Sequence, residues 1–405
     1  MARVLLLLPT ETYRAKDFLE AAGVLQAEVV VATDRRLAIS KVLGERAVSL
    51  NLNEPEASAR RIVDLARRDH LDAIVPVDDQ GVVVAALAAK RLGLRHNPIE
   101  AVLAARDKAT MRDALGAAQI SQPDYRVATI DSDIVALADS VGWPCVIKPL
   151  SLAASRGVIR ADDRGSAIAA AERARAISRA AGGDERLLIE RYLPGHEVAV
   201  EGLLAGGVLE ILAVFDKPDP LEGPYFEETL YVTPSRRPEA ALAAITRTTT
   251  AAAAALGLVE GPVHAELRVQ GDRAAVLEVA ARSIGGLCSR ALRFGLGISL
   301  EELILRHALD LPLRHRGRPW RASGVMMIPI ERRGVLEAVE GQEDALAVPG
   351  VLGLSVTIPV GSAVEPLPEG DRYLGFLFAS GEDPGAVERA LRTAHSCLRI
   401  VLRSG

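Results

Sequence analysis

Over residues 1–95, apolar runs of strand length alternate with amphipathic stretches of helix length: RVLLLL, AKDFLEAAGV, AEVVVAT, SARRIVDLARRD, DAIVPV and GVVVAALAAKRLG. Strands that are apolar along their whole length are buried on both faces. This requires helices on both sides and parallel strands joined by right-handed crossovers. The segment therefore predicts a Rossmann-like α/β layer. In such layers the ligand crevice lies at the carboxyl ends of the strands, here the loops Pro9 to Arg14 and Asp78-Asp79-Gln80. No GxGxxG follows the first strand, which argues against a dinucleotide site. The two aspartates suit a substrate amine or a helix cap equally well.

With 405 residues the chain exceeds what one hydrophobic core can organise. The pattern divides into a Rossmann-like domain (1–97), a helical linker (98–124) holding one Pro-led helix, and a small α+β unit (125–193). A larger unit (194–312) and a β-rich C-terminal region (313–405) that closes with one amphipathic helix complete it. The fold class is α/β and α+β multidomain. A basic connector, LRHRGRPWRAS, with Arg314, Arg316, Arg318 and Arg321, reads as a solvated face. Net charge of −5 argues against nucleic acid or an anionic membrane as a partner. No run approaches the 18 or so apolar residues of a membrane span. The apolar start MARVLLLL is too short for a secretion signal and suits a strand. Cys145, Cys288 and Cys397 lie far apart, which suggests neither a disulfide framework nor a zinc site. A cytoplasmic enzyme or binding protein is expected.

Three stretches can carry chemistry. In HAELRVQGDRAAVLEVAARSIGG, two β-like runs flank a Gly271-Asp272 turn, which predicts a hairpin. Folding it about Asp272 sets Glu266 against Glu278, and like charges directly opposed destabilise a strand pair. Either one glutamate is solvated or neutralised by an arginine, or a hard cation such as Mg²⁺ lies between the pair and substrate phosphates. Arg282 follows at the end of the same strand. In WPCVIKPLSLAASRGVIRA, a strand ends at Lys148 and a loop of small and hydroxyl residues follows, from Ser151 through Ser155 to Gly157. Such a loop brings backbone N–H groups to phosphate oxygens, although an ordinary hairpin loop looks alike. In LLIERYLPGHEVAVEG, a strand runs through Glu190 into a hinge at Tyr192-Leu193-Pro194-Gly195. His196, beside Glu197, suits a solvated loop.

In this order, with "RDK" at 106–108, these stretches resemble the ATP-grasp superfamily along most of the chain. Within it, HAELR…LEVAARSIGG and the upstream GPYFEETLYVTPS look most like the bacterial L-amino-acid ligases that make dipeptides. GVLEAVEGQEDALAVPGV is similar to the C-terminal region of the carboxylase-like branch. The resemblance implies an ATP-grasp fold and an ADP-forming acid–amino-acid ligase that makes an acyl phosphate. Its cofactors would be ATP and one or two Mg²⁺ ions, for which Mn²⁺ can substitute. A small carboxylate and an amine would be the substrates, and a homodimer the assembly. Carried onto this sequence, Lys108 and Lys148 contact ATP phosphates, and Ser151, Ser155, Arg156 and Gly157 close over them. Glu190, Tyr192 and Leu193 bind adenine and Glu197 the ribose. Glu266 and Glu278 ligate the metal, Arg282 stabilises the acyl phosphate, and His264, Ser283, Gly285 and Gly286 border the amino acid. Many superfamily members place Asn where this chain has Ala280, which leaves the ion count open. Another carboxylate substrate, as in purine or carboxylase chemistry, and a non-catalytic nucleotide-binding protein are the alternatives.

Overall fold

The computed structural model describes residues 1–10, 12–34, 47–294, 297–313 and 321–403, so most of the basic connector lies outside the described residues. The N-terminal sheet is wholly parallel, in the order Ala47–Ser49, Glu28–Thr33, Arg3–Leu7 and Ala73–Pro76. Its first strand explains its own composition. Val4 and Leu6 point into a core with Phe18, whereas Leu5 and Leu7 point into another with Ile62 and Val84. The core on the Val4 side also contains Leu303, Leu305 and Phe376, so this sheet packs directly on later parts of the chain. The short strand Ala47–Ser49 has no apolar run to announce it.

The single Pro-led helix expected next is two helices, Ile99–Arg106 and Lys108–Ala117. Asp107 separates them because its backbone is extended and its carboxylate accepts the Thr110 N–H at 2.8 Å, a capping bond. A four-stranded antiparallel sheet follows, ordered Tyr125–Ala128, Leu187–Arg191, Cys145–Pro149 and Ile159–Ala161. Helices Ile134–Val141 and Arg164–Ala180 pack on it.

The largest sheet has eight antiparallel strands. Their order is Arg273–Ala280, Gly261–Gln270, His196–Ala205, Val208–Asp216, Leu230–Thr233, Ala322–Ile328, Gly375–Gly381 and Val351–Val356. It continues across residue 313, so strands of the C-terminal region extend the sheet that holds the hairpin. A separate sheet joins Ala363–Val364, Gly334–Glu340 and Arg399–Arg403. The chain thus does not close on the amphipathic helix Pro384–Ser396, because a strand after it pairs back onto Gly334–Glu340. Among the described residues, no helix is long and apolar enough to cross a membrane.

Candidate active site

The hairpin forms, and its register holds a detail that symmetry about Asp272 conceals. Near the turn Gln270 pairs with Arg273 and Leu267 with Val276, whereas Glu266 pairs with Glu278. Leu277 is therefore an extra residue, a bulge. Without it Glu266 would face Leu277, and Glu278 would point to the opposite side of the sheet. The bulge brings both carboxylates to one face, and Arg112 donates to the Leu277 carbonyl at 2.6 Å. The facing acids each have their own cation. Glu278 meets Lys108 at 3.3 Å, and Glu266 meets Lys217 at 3.2 Å and His264 Nε2 at 3.4 Å.

Lys108 opens its helix and is tied to the segment after VIKP: its N–H donates to Leu150 O (3.1 Å) and its Nζ to Leu152 O (2.9 Å). The loop beyond turns through left-handed backbone at Ala154, Ser155 and Gly157. A Cβ on Gly157 would stand 2.9 Å from Pro149 Cγ, so glycine is required there. Gly157 N–H donates to Pro368 O (2.9 Å) and Arg156 Nε to Glu369 O (3.1 Å), which anchors the loop to the C-terminal region. Ser151 is exposed.

Two buried charge networks flank this loop. In the first, Glu190 bridges Arg112 Nε at 2.5 Å and Lys148 Nζ at 2.6 Å. Burial would raise the Glu190 carboxyl, but Arg112 and Lys148 outweigh it and hold it at about 2. Burial lowers Lys148 below an ordinary lysine despite Glu190, with Arg112 and Lys108 adding to that effect. The Glu190 side chain is thus committed. At the following hinge, Tyr192 stacks on Phe226 with ring centroids 6.4 Å apart, and Arg160 lies over the Tyr192 ring at 4.6 Å.

The second network surrounds Lys217, whose side chain is 2% exposed and whose Nζ bonds Glu197 at 2.7 Å, Glu266 at 3.2 Å and also Glu228. Burial opposes the ammonium charge, yet Glu197, Glu228 and Glu266 raise Lys217 well above its ordinary value. Burial raises Glu228 to about 7, with Glu266 and Glu197 adding to the rise and Lys217 opposing it. Oxygens of Glu197, Glu228 and Glu266 lie within 4.8 Å of one another, a set of hard donors around a cation. Glu278 is not in that set. Glu197 also meets Arg268 at 3.1 Å.

His264 Nδ1 bonds Glu201 at 2.5 Å, and burial that would lower it is overcome by Glu201 and Glu266, raising it to about 9. Glu201 also accepts the Ile284 N–H at 3.0 Å. Arg282 donates through Nε to Asp79 at 2.9 Å, so the first-sheet loop reaches the hairpin end. Burial would raise Asp79, but Arg282, with Arg106 and Lys108, brings it below an ordinary aspartate. Ser283 Oγ accepts from the fully buried Arg14, which also bonds Glu301 at 2.9 Å. At Gly285 a Cβ would meet nothing, whereas at Gly286 (φ +60°) it would stand 2.9 Å from Phe376. Gly286 therefore leaves no room for a substrate group, because Phe376 fills that space. Cys288 packs against Met327, Sγ to Sδ 3.4 Å, and His196 is exposed.

Lys217, Glu228, Glu201, Asp79 and Arg14 complete these networks without having been singled out by motif, apart from Asp79. Glu228 lies inside GPYFEETLYVTPS, and Arg14 ends the first crevice loop; both positions were visible but their partners were not.

Residues 141–291 match the ATP-grasp domain, and residues 326–403 match the L-amino acid ligase C-terminal domain 2. Alanine--anticapsin ligase of Bacillus subtilis (strain 168) is 29% identical over 274 residues, covering 62% of this chain and 57% of that protein. Dapdiamide A synthase of Enterobacter agglomerans is 26% identical over 270 residues, covering 64% of this chain and 63% of that protein. These matches span little more than half the length of either relative. The crystal structure of L-amino acid ligase from Bacillus licheniformis superposes with a TM-score of 0.83 at 25% identity, covering 100% of this chain and 99% of that one. With a full-length superposition and both matched regions in order, the chain carries an ATP-grasp domain followed by the C-terminal domain 2 of the L-amino acid ligases.

Proposed function

We propose that this enzyme uses ATP to activate a carboxylate as an acyl phosphate and joins it to an amine, and that both reactants are amino acids. The observation that carries the reading is the convergence of Glu197, Glu228 and Glu266 on one buried cation, on the same face as Glu278, Lys108 and the hairpin-end Arg282. Hard carboxylate oxygens gathered around positive charge fit Mg²⁺. Glu266, with Glu197 and Glu228, would hold it, and Glu278 would approach from the opposite strand. Bound there, Mg²⁺ would neutralise the phosphates during transfer.

The protein's own groups account for the rest. Lys108 and Lys148 face the triphosphate, with Ser151, Ser155, Arg156 and Gly157 covering it. Tyr192 and Leu193 at the hinge line the base, while Glu190 sets the two cations beside it. The substrate carboxylate oxygen attacks the γ-phosphorus and ADP leaves. Arg282, fixed through Nε by Asp79, presents its remaining donors to the acyl phosphate and the tetrahedral intermediate, where preorganised donors act most strongly. The amine nitrogen then attacks the acyl carbon, phosphate departs and the amine loses a proton. His264 and Ser283 border the activated amino acid, with the open side of Gly285 toward it. The names of relatives that ligate alanine or make dapdiamide support amino acids as substrates. The test is phosphate release with ATP and pairs of amino acids, with products identified by mass spectrometry. A dipeptide with equimolar ADP is expected; AMP and pyrophosphate would overturn the reading.

A further inference from the structure

The bulge at Leu277 decides where Glu278 points, and what holds the bulge lies outside the hairpin. The strand Arg273–Ala280 ends the eight-stranded sheet, so no strand pairs with its outer edge. The linker supplies partners there. The Val276 N–H donates to Ser121 O at 2.8 Å, and the Leu277 carbonyl accepts from Arg112 Nη2 at 2.6 Å. Arg112 is 1% exposed, and its Nε bonds Glu190 at 2.5 Å, which in turn bonds Lys148 at 2.6 Å. Three short polar bonds therefore join the carbonyl beside Glu278 to the lysine of VIKP. Lys108, four residues before Arg112 and so on the same face of the helix Lys108–Ala117, meets the Glu278 carboxylate itself.

Docking of this helix does not require the guanidinium. Met111 and Leu115 share one buried core with Leu267, Val276 and Val279 of the hairpin. Among the described residues, Arg112 Nη1 is buried without a hydrogen-bond partner, a cost that an apolar side chain of similar length would avoid. What an apolar residue or a single ammonium does not do is bond a carboxylate and a carbonyl at once, through different nitrogens of one rigid fork.

We propose that Arg112 is a positioning residue: it fixes the Leu277 bulge and so keeps the Glu278 carboxylate in register with the cations around Glu190. Bulges beside active sites re-aim side chains. Without Arg112 the Leu277 carbonyl loses its donor, and a slip of one residue turns Glu278 to the opposite side of the sheet. The inference rests on the reading of Glu278 as facing a metal and Lys148 as facing phosphate. It adds that the parts receiving the two halves of a metal–nucleotide complex are tied through one side chain that bonds neither.

Titration calorimetry with the β,γ-imido analogue of ATP, in Mg²⁺ and again in EDTA, gives the factor by which the metal strengthens nucleotide binding. A general loosening of the fold weakens both measurements and cancels in the factor. Glu278→Gln should lower the factor about 10-fold, the loss of one contact to a charged group. Arg112→Met should lower it by a similar amount. The double variant should fall no further than Glu278→Gln alone, because both substitutions remove the same contact. Arg112→Lys, whose ammonium stays with Glu190, should keep metal-free affinity within about twofold and still lose most of the factor. It carries the test if Arg112→Met folds poorly. An unchanged factor in Arg112→Lys, or a double variant in which the two losses multiply, overturns the inference. A factor that survives Glu278→Gln overturns it as well, since Glu278 then has no metal to be positioned for. If Mg²⁺ does not strengthen binding to the wild-type protein at all, the metal–nucleotide reading itself fails and the inference falls with it.

Discussion

Two buried lysines of the site, Lys148 and Lys217, sit in opposite electrostatic settings. Lys148 shares one carboxylate, Glu190, with Arg112, so its network has two cations for one anion. Lys217 faces three carboxylates, Glu197, Glu228 and Glu266, of which Glu197 also meets Arg268 and Glu266 also meets His264, itself shared with Glu201. Burial therefore lowers Lys148, whereas carboxylates raise Lys217 well above an ordinary lysine. The first network has surplus positive charge, as a site for phosphates does. The second has surplus negative charge, as a site for a divalent cation does. A desolvated charge is tolerated only where something compensates it, and the missing compensation in each network has the sign of one part of a metal–nucleotide complex.

The largest effect should come from the acidic side. Glu266→Gln should lower turnover about 100- to 1,000-fold, measured as amino-acid-dependent ADP release, because it removes an oxygen donor from the cation set. Near-normal turnover would separate the cluster from the chemistry. Stability tests the contrast more directly. Lys217→Met takes from Glu228 its ammonium and leaves Glu197 and Glu266 with only Arg268 and His264, and should cost about 3–5 kcal/mol. Millimolar Mg²⁺, which the carboxylate oxygens would bind more tightly without the ammonium beside them, should recover much of that loss in thermal melts. Lys148→Met leaves Glu190 still bonded to Arg112, should cost about 1–2 kcal/mol, and should show no rescue by Mg²⁺. Equal rescue of both variants would erase the distinction.

The smallest effect concerns acid. Glu190 is held at about 2, below its ordinary 4.5, so the folded state binds its proton less readily than the unfolded chain. Its contribution is complete above the unfolded value and disappears as pH falls from about 4.5 toward 2. Removing Glu190 as Glu190→Gln should therefore flatten the acid limb of the stability curve by roughly 2 kcal/mol across that window, measured by denaturant melts. An unchanged acid limb would show that Arg112 and Lys148 do not hold the carboxylate as strongly as their geometry requires.

Much of the fold was legible because its signal is local. The first sheet announced itself through runs such as RVLLLL, whose alternate residues feed two cores. The hairpin was legible through its turn, and the pairing of Glu266 with Glu278 was expected. The bulge at Leu277 that makes the pairing possible was not, since it depends on Arg112, which lies 165 residues away. The strand Leu230–Thr233 carries no local signal, because only four residues of it form a ladder, inside a Pro- and Gly-rich stretch. Asp107 as a helix breaker was masked by the good helix formers around it.

The site was legible wherever a motif carried it and obscure wherever charge pairing did. Lys217 stands in KPDP, which reads as a turn; Glu228 comes from the far end of the same loop, and Glu197 and Glu266 come from two other strands. Asp79 was ambiguous until Arg282, 203 residues later, proved to be its partner. Gly286 was expected to border the amino acid, yet Phe376, from a strand of the C-terminal region, stands where a side chain there would be. In each case the deciding neighbour is distant in sequence, and no local pattern encodes it.

The central claim is that a carboxylate attacks the terminal phosphate of ATP before an amine attacks the carboxylate. Ligation of an amino acid labelled with ¹⁸O in its carboxylate tests that order directly. The account predicts one labelled oxygen in each phosphate released, with the nucleotide recovered unlabelled as ADP. Unlabelled phosphate, or label appearing in AMP, would contradict it.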